Sequence, residues 1–250
     1  MLFITPNWPK PKNVHALCTT RIGGVSSAPF NSLNLATHVG DNLADVLQNR
    51  QWLKTQANLP SEPIWLNQQH TDVALHLDSQ SHFHTPPVAD ASWTQSANVV
   101  SVVITADCLP ILLTNTDGTC VAAIHAGWKG LADNIVTKTI QAMPVKPLEL
   151  MAWIGPAISA KQFEVGQDVF DAFVKANPQN KPFFELKDKQ NNKYLANLPD
   201  LVAFELKQLG LTQIYASDLC SYEDEERFFS YRRDGQTGRM ATMIWIENQG

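Results

Sequence analysis

Apolar residues fall in short runs through the middle of the chain and at wider, helical spacing between them. Val14 to Thr20, Asn98 to Thr105, Ile111 to Thr114, Cys120 to Ile124, Leu150 to Ile154, Gln213 to Ala216, Phe228 to Tyr231 and Met240 to Ile246 predict strands, and Ile64 to Leu66 a shorter one. Leu43, Val46, Leu47 and Leu53 make one apolar stripe, which predicts a helix from Leu43 to Ala57 with Asp41 as its cap. Helical spacing recurs over Leu131 to Met143, Asp168 to Ala176 and Leu198 to Leu209. Helices are interspersed without a regular βα alternation, so the predicted class is α+β with mixed sheets. Neither an internal repeat nor a low-complexity linker interrupts the pattern, and residues 1–250 read as a single domain.

The sharpest local signal is a hairpin. Ile111 to Thr114 and Cys120 to Ile124 flank Asn115-Thr116-Asp117-Gly118-Thr119, and Asp-Gly between apolar runs favours a turn whose central residues accept positive φ. With Asp117 and Gly118 as the loop, Thr116 faces Thr119 and His125 lies opposite Pro110. Cys108 is then on the same face as His125, diagonal to it, with Cβ atoms about 7–8 Å apart. A four-residue loop is expected to bring Cys108 directly opposite His125, whereas a three-residue loop turns one side chain to the other face unless a bulge restores it. Pro110 and Gly127 loosen the pairing at this open end.

Either even-length loop therefore brings Cys108 and His125 within reach of one ion. Two imidazoles and one thiol are the ligand set of an open zinc site, in which three protein ligands leave a fourth position free, and His70 would have to approach from a neighbouring element to complete it. His70 sits in Asn67-Gln68-Gln69-His70-Thr71-Asp72, Cys108 in Thr105-Ala106-Asp107-Cys108-Leu109-Pro110, and His125 in Ala123-Ile124-His125-Ala126-Gly127-Trp128. By strand alternation Asp107 points away from Cys108. The remaining histidines lack ligand spacing, except His82 and His84 in a Ser/Pro loop that reads as solvated. Anion contacts are offered by Arg21 beside Gly23-Gly24, by Lys129 at the start of a helix after Gly127, and by the basic turn from Tyr231 to Arg239.

Composition narrows the choice of partners. The 250 residues are 44% hydrophobic and 17% charged with a net charge of −5, and no basic block is present, which argues against nucleic acid or an anionic membrane as partner. The 4 cysteines lie far apart with no Cys-x-x-Cys pair, the N-terminus has no signal-peptide pattern, and a cytoplasmic chain with reduced thiols is expected.

Taken together, Thr19-Thr20-Arg21 with Gly23-Gly24-Val25-Ser26, Leu33-Asn34-Leu35, Gly40-Asp41, Thr105 to Pro110, His125 to Trp128, Gly155-Pro156-Ala157-Ile158, Phe163-Glu164-Val165-Gly166 and Phe228 to Gly235 resemble the laccase-domain proteins. These are also called multi-copper polyphenol oxidoreductases and, in bacteria, peptidoglycan editing factors. The resemblance implies a sandwich of mixed β-sheets flanked by helices, similar to certain cysteine-dependent toxin deamidases. It implies His70, Cys108 and His125 as metal ligands, zinc as the metal with copper as a substitute, and Arg21, Asn34, Lys129 and Arg232 as candidate substrate or phosphate contacts. Its departures are Gln69 and Thr71 around His70, and Lys129 where arginine is common.

The activity it implies is phosphorolysis of adenosine, inosine and methylthioadenosine, with adenosine deamination. The His-x-Glu segment of other zinc deaminases is lacking. Three alternatives accompany this reading: removal of L-serine from a UDP-muramoyl-serine precursor, copper-dependent phenol oxidation, and a metal-free hydrolase with Cys108 as nucleophile and His125 as base. Phenol oxidation of the multicopper kind needs more histidine ligands than the 7 scattered ones here.

Overall fold

In the computed structural model, which describes residues 2–248, two β-sheets face each other and helices cover their outer sides. In chain order the strands are β1 (Phe3–Ile4), β2 (Val14–Thr19), β3 (Ala74–Leu77), β4 (Ala91–Thr94), β5 (Ser101–Thr105), β6 (Leu109–Asn115), β7 (Val121–Ala126), β8 (Leu150–Ile154), β9 (Glu164–Val165), β10 (Phe184–Asp188), β11 (Lys193–Ala196), β12 (Gln213–Ala216) and β13 (Met240–Ile246). The helices are α1 (Leu43–Gln56), α2 (Trp128–Ala132), α3 (Ile135–Ala142), α4 (Gln167–Ala176), α5 (Leu198–Gln208) and α6 (Tyr231–Asp234).

One sheet runs β1-β2-β13-β5 and is antiparallel throughout. The larger runs β12-β8-β6-β7-β4-β3, with parallel pairs only at its two edges. The predicted α+β class with mixed sheets is therefore the observed one. Strands β9, β10 and β11 form a small third sheet that the sequence pattern did not reveal, as it did not reveal β3 and β4.

Every residue of β6 and β7 is buried, because both faces of the large sheet are covered. Leu109, Ile111, Leu113, Cys120, Ala122 and Ile124 join the core under α3, α4 and α5. Leu112, Val121 and Ala123 face the other sheet, packing with Val103, Phe228, Phe229 and Ile244. His125 shares the parity of Val121 and Ala123, so its side chain enters the layer between the sheets. Outside the smaller sheet, Leu53 of α1 packs with Leu33 and Leu35.

Several expectations need correction. Asn42, not Asp41, caps α1, accepting the Ala44 N–H at 2.9 Å, while Asp41 accepts hydrogen bonds from the side chains of Ser26 and Asn34. Leu43 and Leu47 are exposed, and the buried stripe is Val46, Asn49 and Leu53. Asn49 is tolerated inside because it donates to Ser26, Ser32 and Asn34 and accepts the Val25 N–H. Ile64 to Leu66 makes only a single bridge, Ile64 to Ser101, following a proline that has no N–H to donate. The helix over Leu131 to Met143 is two helices, broken where Asn134 takes φ +67°. Phe228 to Tyr231 is not a strand. β5 already occupies that side of β13, Phe228 and Phe229 are core side chains, and Ser230 caps α6 by accepting the Arg233 N–H at 3.2 Å.

The hairpin has the anticipated register, with Pro110 opposite His125, although its loop is longer than two residues. Pairing stops at Thr114 and Val121. Beyond it Asn115 accepts the N–H groups of Thr119 at 2.8 Å and Cys120 at 2.9 Å, and Gly118 takes φ +66°. The wider loop is centred on the same residues, so it does not shift Cys108 to a position opposite His125.

Candidate metal centre

Three segments from different parts of the fold meet at the open end of the β6–β7 hairpin. Cys108 lies one residue before β6, at the end of the ladder where Leu109 pairs with Ala126. The turn that delivers it is held at Asp107, a non-glycine residue at φ +94°. Its carboxylate accepts the Ser221 hydroxyl and the Arg232 N–H, each at 2.7 Å, and its carbonyl accepts the Ile158 N–H at 3.0 Å. Such a backbone persists only when its surroundings over-determine it, and Asp107 is tied to three separate segments. It serves Cys108 as an anchor, with its carboxylate directed elsewhere.

His70 is also at positive φ, +59°, in the segment preceding β3. Two devices hold that segment in place. The side-chain amide of Gln68 imitates a strand neighbour of β5, donating to the Ile104 carbonyl and accepting the Ile104 N–H, both at 2.8 Å. The successive N–H groups of Gln69, His70 and Thr71 then close around the carboxylate of Asp90 at 3.2, 3.0 and 2.6 Å, and the Thr71 hydroxyl adds a bond of 2.7 Å. Consecutive N–H groups around a left-handed residue make an anion-binding concavity, filled here by a side chain of the same protein.

Asp90 also fixes His125. Its carboxylate meets His125 Nδ1 at 2.7 Å, and its carbonyl accepts the His125 N–H at 2.7 Å. With Nδ1 engaged, Nε2 is the nitrogen left to face Cys108, an arrangement in which a carboxylate sets the tautomer of a ligating histidine. Asp90 is wholly buried, and no sequence reasoning above identified it. The available signal was an acid set among Val88, Ala89 and Ala91, since a buried carboxylate demands a group of donors.

The ligand atoms of His70, Cys108 and His125 all lie within 4.8 Å of one another, and Cys108 Sγ is 3.7 Å from His70 Nε2. Tetrahedral zinc with ordinary Zn–S and Zn–N bonds would set such atoms about 3.5 Å apart. Two imidazoles and a thiolate suit zinc or copper and disfavour magnesium or calcium. Among the described residues this is the one group of three or more such side chains that is close enough to hold an ion. His15 instead pairs with Glu247, His76 stacks on Trp93, and His82 packs edge-on against His84.

Electrostatics prepare the thiol. Burial alone would raise its pKa, but the charge and hydrogen bond of His125 and the hydrogen bond of His70 bring Cys108 down to about 6. Burial alone would lower His125, yet Cys108 on one side and Asp90 on the other raise it. For Asp90, burial is outweighed by hydrogen bonds from His125 and Thr71, which hold the carboxyl at about 2. By contrast, burial pushes Cys18 up to about 12 and Cys120 up to about 11, so those thiols stay inert core groups.

Gly127 is required by the crowding. A Cβ there would lie 2.3 Å from His70 Cδ2 and 3.1 Å from Cys108 Sγ. Gly127→Ala is therefore expected to displace His70 and to lower the affinity of the trio for a metal ion about 10–100-fold, as loss of ligand orientation does. Metal competition against a chromophoric chelator measures this, and unchanged affinity would show that the trio tolerates the methyl group.

The other sequence-predicted contacts lie apart in role. Asn34 is fully buried and its side chain is spent inside the protein, bonding Ala36, Asp41 and the Arg239 N–H. Arg21 bonds Asn31 and the Glu225 carbonyl and stacks on Phe229. Arg232 donates to the Glu164 carbonyl and covers Phe163. Lys129 is exposed on the five-residue α2, and Trp128 packs partly into the core.

A mixed-sheet α+β fold in which two histidines and a cysteine lie close enough to hold an ion is the class of protein that fold and site define. The chain belongs to the family described as multi-copper polyphenol oxidoreductase laccase, whose model matches residues 15–247. It is 47% identical over 247 residues to a protein of Haemophilus influenzae named purine nucleoside phosphorylase, covering 99% of this chain and 100% of that one. It is 44% identical to the purine nucleoside phosphorylase YfiH of Escherichia coli K12, covering 97% and 98%. Among solved structures it is similar to Neisseria meningitidis protein NMB0706, with a TM-score of 0.94, 47% identity and coverage of 99% and 100%. YlmD from Geobacillus stearothermophilus superposes with a TM-score of 0.92 at 28% identity, covering 99% and 97%.

Proposed function

We propose that this chain is a zinc-dependent purine nucleoside phosphorylase, acting on adenosine, inosine and methylthioadenosine with phosphate, and that the same centre deaminates adenosine. The observation that carries the reading is the convergence of His70, Cys108 and His125 with graded exposure. His125 is buried, Cys108 half-buried and His70 exposed, so one side of the trio is open to a substrate. The names of the relatives supply the substrate class.

His70, Cys108 and His125 would hold the zinc, which when bound supplies Lewis acidity toward an oxygen of water or substrate. Cys108 enters as a thiolate, Asp90 keeps Nδ1 of His125 occupied, and the Asp90-bound turn sets the angle of His70. Copper would enter the same ligands by substitution, and phenol oxidation is then a property of the substituted protein. The match over residues 15–247 supports a single domain for 1–250. The 4 unpaired cysteines favour a cytoplasmic setting. Among the described residues no helix is long and apolar enough to cross a membrane.

A second reading has its own observation. Cys108, His125 and Asp90 form a thiol–imidazole–carboxylate line, the arrangement of a nucleophilic cysteine with an oriented base. One experiment separates the two. Purified protein, zinc-loaded or chelator-treated, is incubated with inosine with and without phosphate, and hypoxanthine is quantified. Release that needs both zinc and phosphate is the expected result. Release by chelated protein that alkylation of Cys108 stops would move the assignment to the thiol. The absence of release under every condition would remove the nucleoside reading and leave hydrolysis of UDP-muramoyl-serine as the next assay.

A further inference from the structure

Arg21 is held by the fold, Arg232 has one guanidinium nitrogen engaged and Lys129 is exposed on α2, and phosphorolysis needs an oxyanion contact close to the reacting centre. Arg239 is placed to provide one. Strand β13 begins with Met240 paired to Thr105, and β13 and β5 run antiparallel. The residue before Met240 therefore lies alongside Ala106, next to the turn that delivers Cys108. Burial lowers Arg239 from the usual arginine range, and the charges of Cys108 and Asp107 oppose that shift.

The guanidinium is anchored at one end and free at the other. Nη1 donates to the carbonyls of Thr237 at 2.9 Å and Gly238 at 3.0 Å, and the Arg239 N–H is held by Asn34 at 3.0 Å. No acceptor among the described residues engages Nε or Nη2. Two parallel N–H groups on one edge of an arginine match two oxygens of a phosphate. Arg233, by comparison, has every nitrogen engaged, two of them by Asp234.

The surroundings also suit an anion. Arg239 lines a crevice of about 330 Å³ with His38, Val39, Tyr231, Gln236 and Thr237, in which no carboxylate takes part despite the chain's net charge of −5. Tyr231 is 61% exposed and its ring lies 5.8 Å from the Arg239 guanidinium. Thr237 is 1% exposed and its hydroxyl has no partner, an unsatisfied group for which an oxyanion in the crevice would supply an acceptor.

We propose that Arg239, with the Thr237 hydroxyl beside it, forms an oxyanion subsite next to the His70–Cys108–His125 centre that takes inorganic phosphate or the phosphate group of ribose 1-phosphate. The proposal rests on the phosphorylase reading for its physiological meaning, though phosphate binding itself is testable without turnover. The probe is inorganic phosphate, followed by ³¹P line broadening on the full chain with and without hypoxanthine, together with steady-state kinetics. Arg239→Gln and Arg239→Lys are compared, with zinc content and circular dichroism confirming folded protein.

Arg239→Gln is expected to weaken phosphate binding and raise the KM for phosphate by roughly tenfold or more, as loss of charge-assisted hydrogen bonds does. The KM for inosine should stay within about twofold, well below the effect of one such bond. Arg239→Lys keeps the charge and loses the fork, so it should fall between. Ribose 1-phosphate should compete with phosphate in wild type and less so in Arg239→Gln. Unchanged phosphate affinity in Arg239→Gln overturns the subsite, as does a wild-type protein that binds no phosphate with or without hypoxanthine. If phosphate binds through Arg239 but inosine is not cleaved, the subsite stands and the reaction is the part that fails.

Discussion

Cys108→Ala is expected to leave the protein without bound zinc after dialysis and to lower hypoxanthine release by more than about a hundredfold. The loss of a partner that merely orients a ligand costs 10–100-fold, and on the proposed reading this change removes a ligand itself. The thiolate is the only anionic donor of the trio, so the two imidazoles that remain offer zinc no charge compensation. Cys108 is half-buried and stands beyond the last pair of the β6–β7 ladder, so the metal-free variant should melt close to the metal-free wild type. Elemental analysis of dialysed protein and the inosine assay provide the readouts. A variant that still holds one zinc per chain would place the metal elsewhere.

Asp90→Ala should affect both stability and metal binding. It strips one acceptor from the N–H groups of Gln69, His70 and Thr71, from the Thr71 hydroxyl and from His125 Nδ1. Removing one partner of a buried charged network costs about 3–5 kcal/mol, because the groups left behind stay buried without a partner. The expected result in urea is a lower midpoint for the metal-free variant by an amount in that range. Zinc affinity should also fall about 10–100-fold, since His125 loses its tautomer control and His70 its turn. Asp90→Asn sharpens the test: it preserves volume but turns an NH₂ donor toward a set of donors, and should lose affinity as well. Unchanged stability and affinity in Asp90→Ala would show that the network is incidental.

The two variants probe parts of the site that were unequally legible. Strand β13 matched the predicted bounds of Met240 to Ile246, and the hairpin register placing Pro110 opposite His125 followed from alternation and the position of Asp117-Gly118. Both signals are local: side chains alternate along a strand whatever it packs against, and the turn sets which residues face each other. Where local pattern misled, a tertiary partner had intervened. Leu43 and Leu47 are exposed because Asn49 turns the buried face of α1 toward Ser26, Ser32 and Asn34. Phe228 and Phe229 have strand-like composition, but the place beside β13 is taken by β5.

By itself, the sequence determined the mixed α+β class, the pairing that brings Cys108 beside His125, and the ligand chemistry of the three side chains. These follow from periodicity and from properties each residue carries with it. Only the tertiary structure decided that His70 arrives at the same point, that Asp90 binds the turn of one histidine and the ring of the other, and that Arg239 lies alongside Ala106 with its Nε–Nη2 edge unbonded. Asp90 is 20 residues from His70 and 35 from His125. Over such separations no local periodicity links the partners. What joins them is the need of a buried carboxylate for donors, a demand that can be met only once the sheets have brought those donors together.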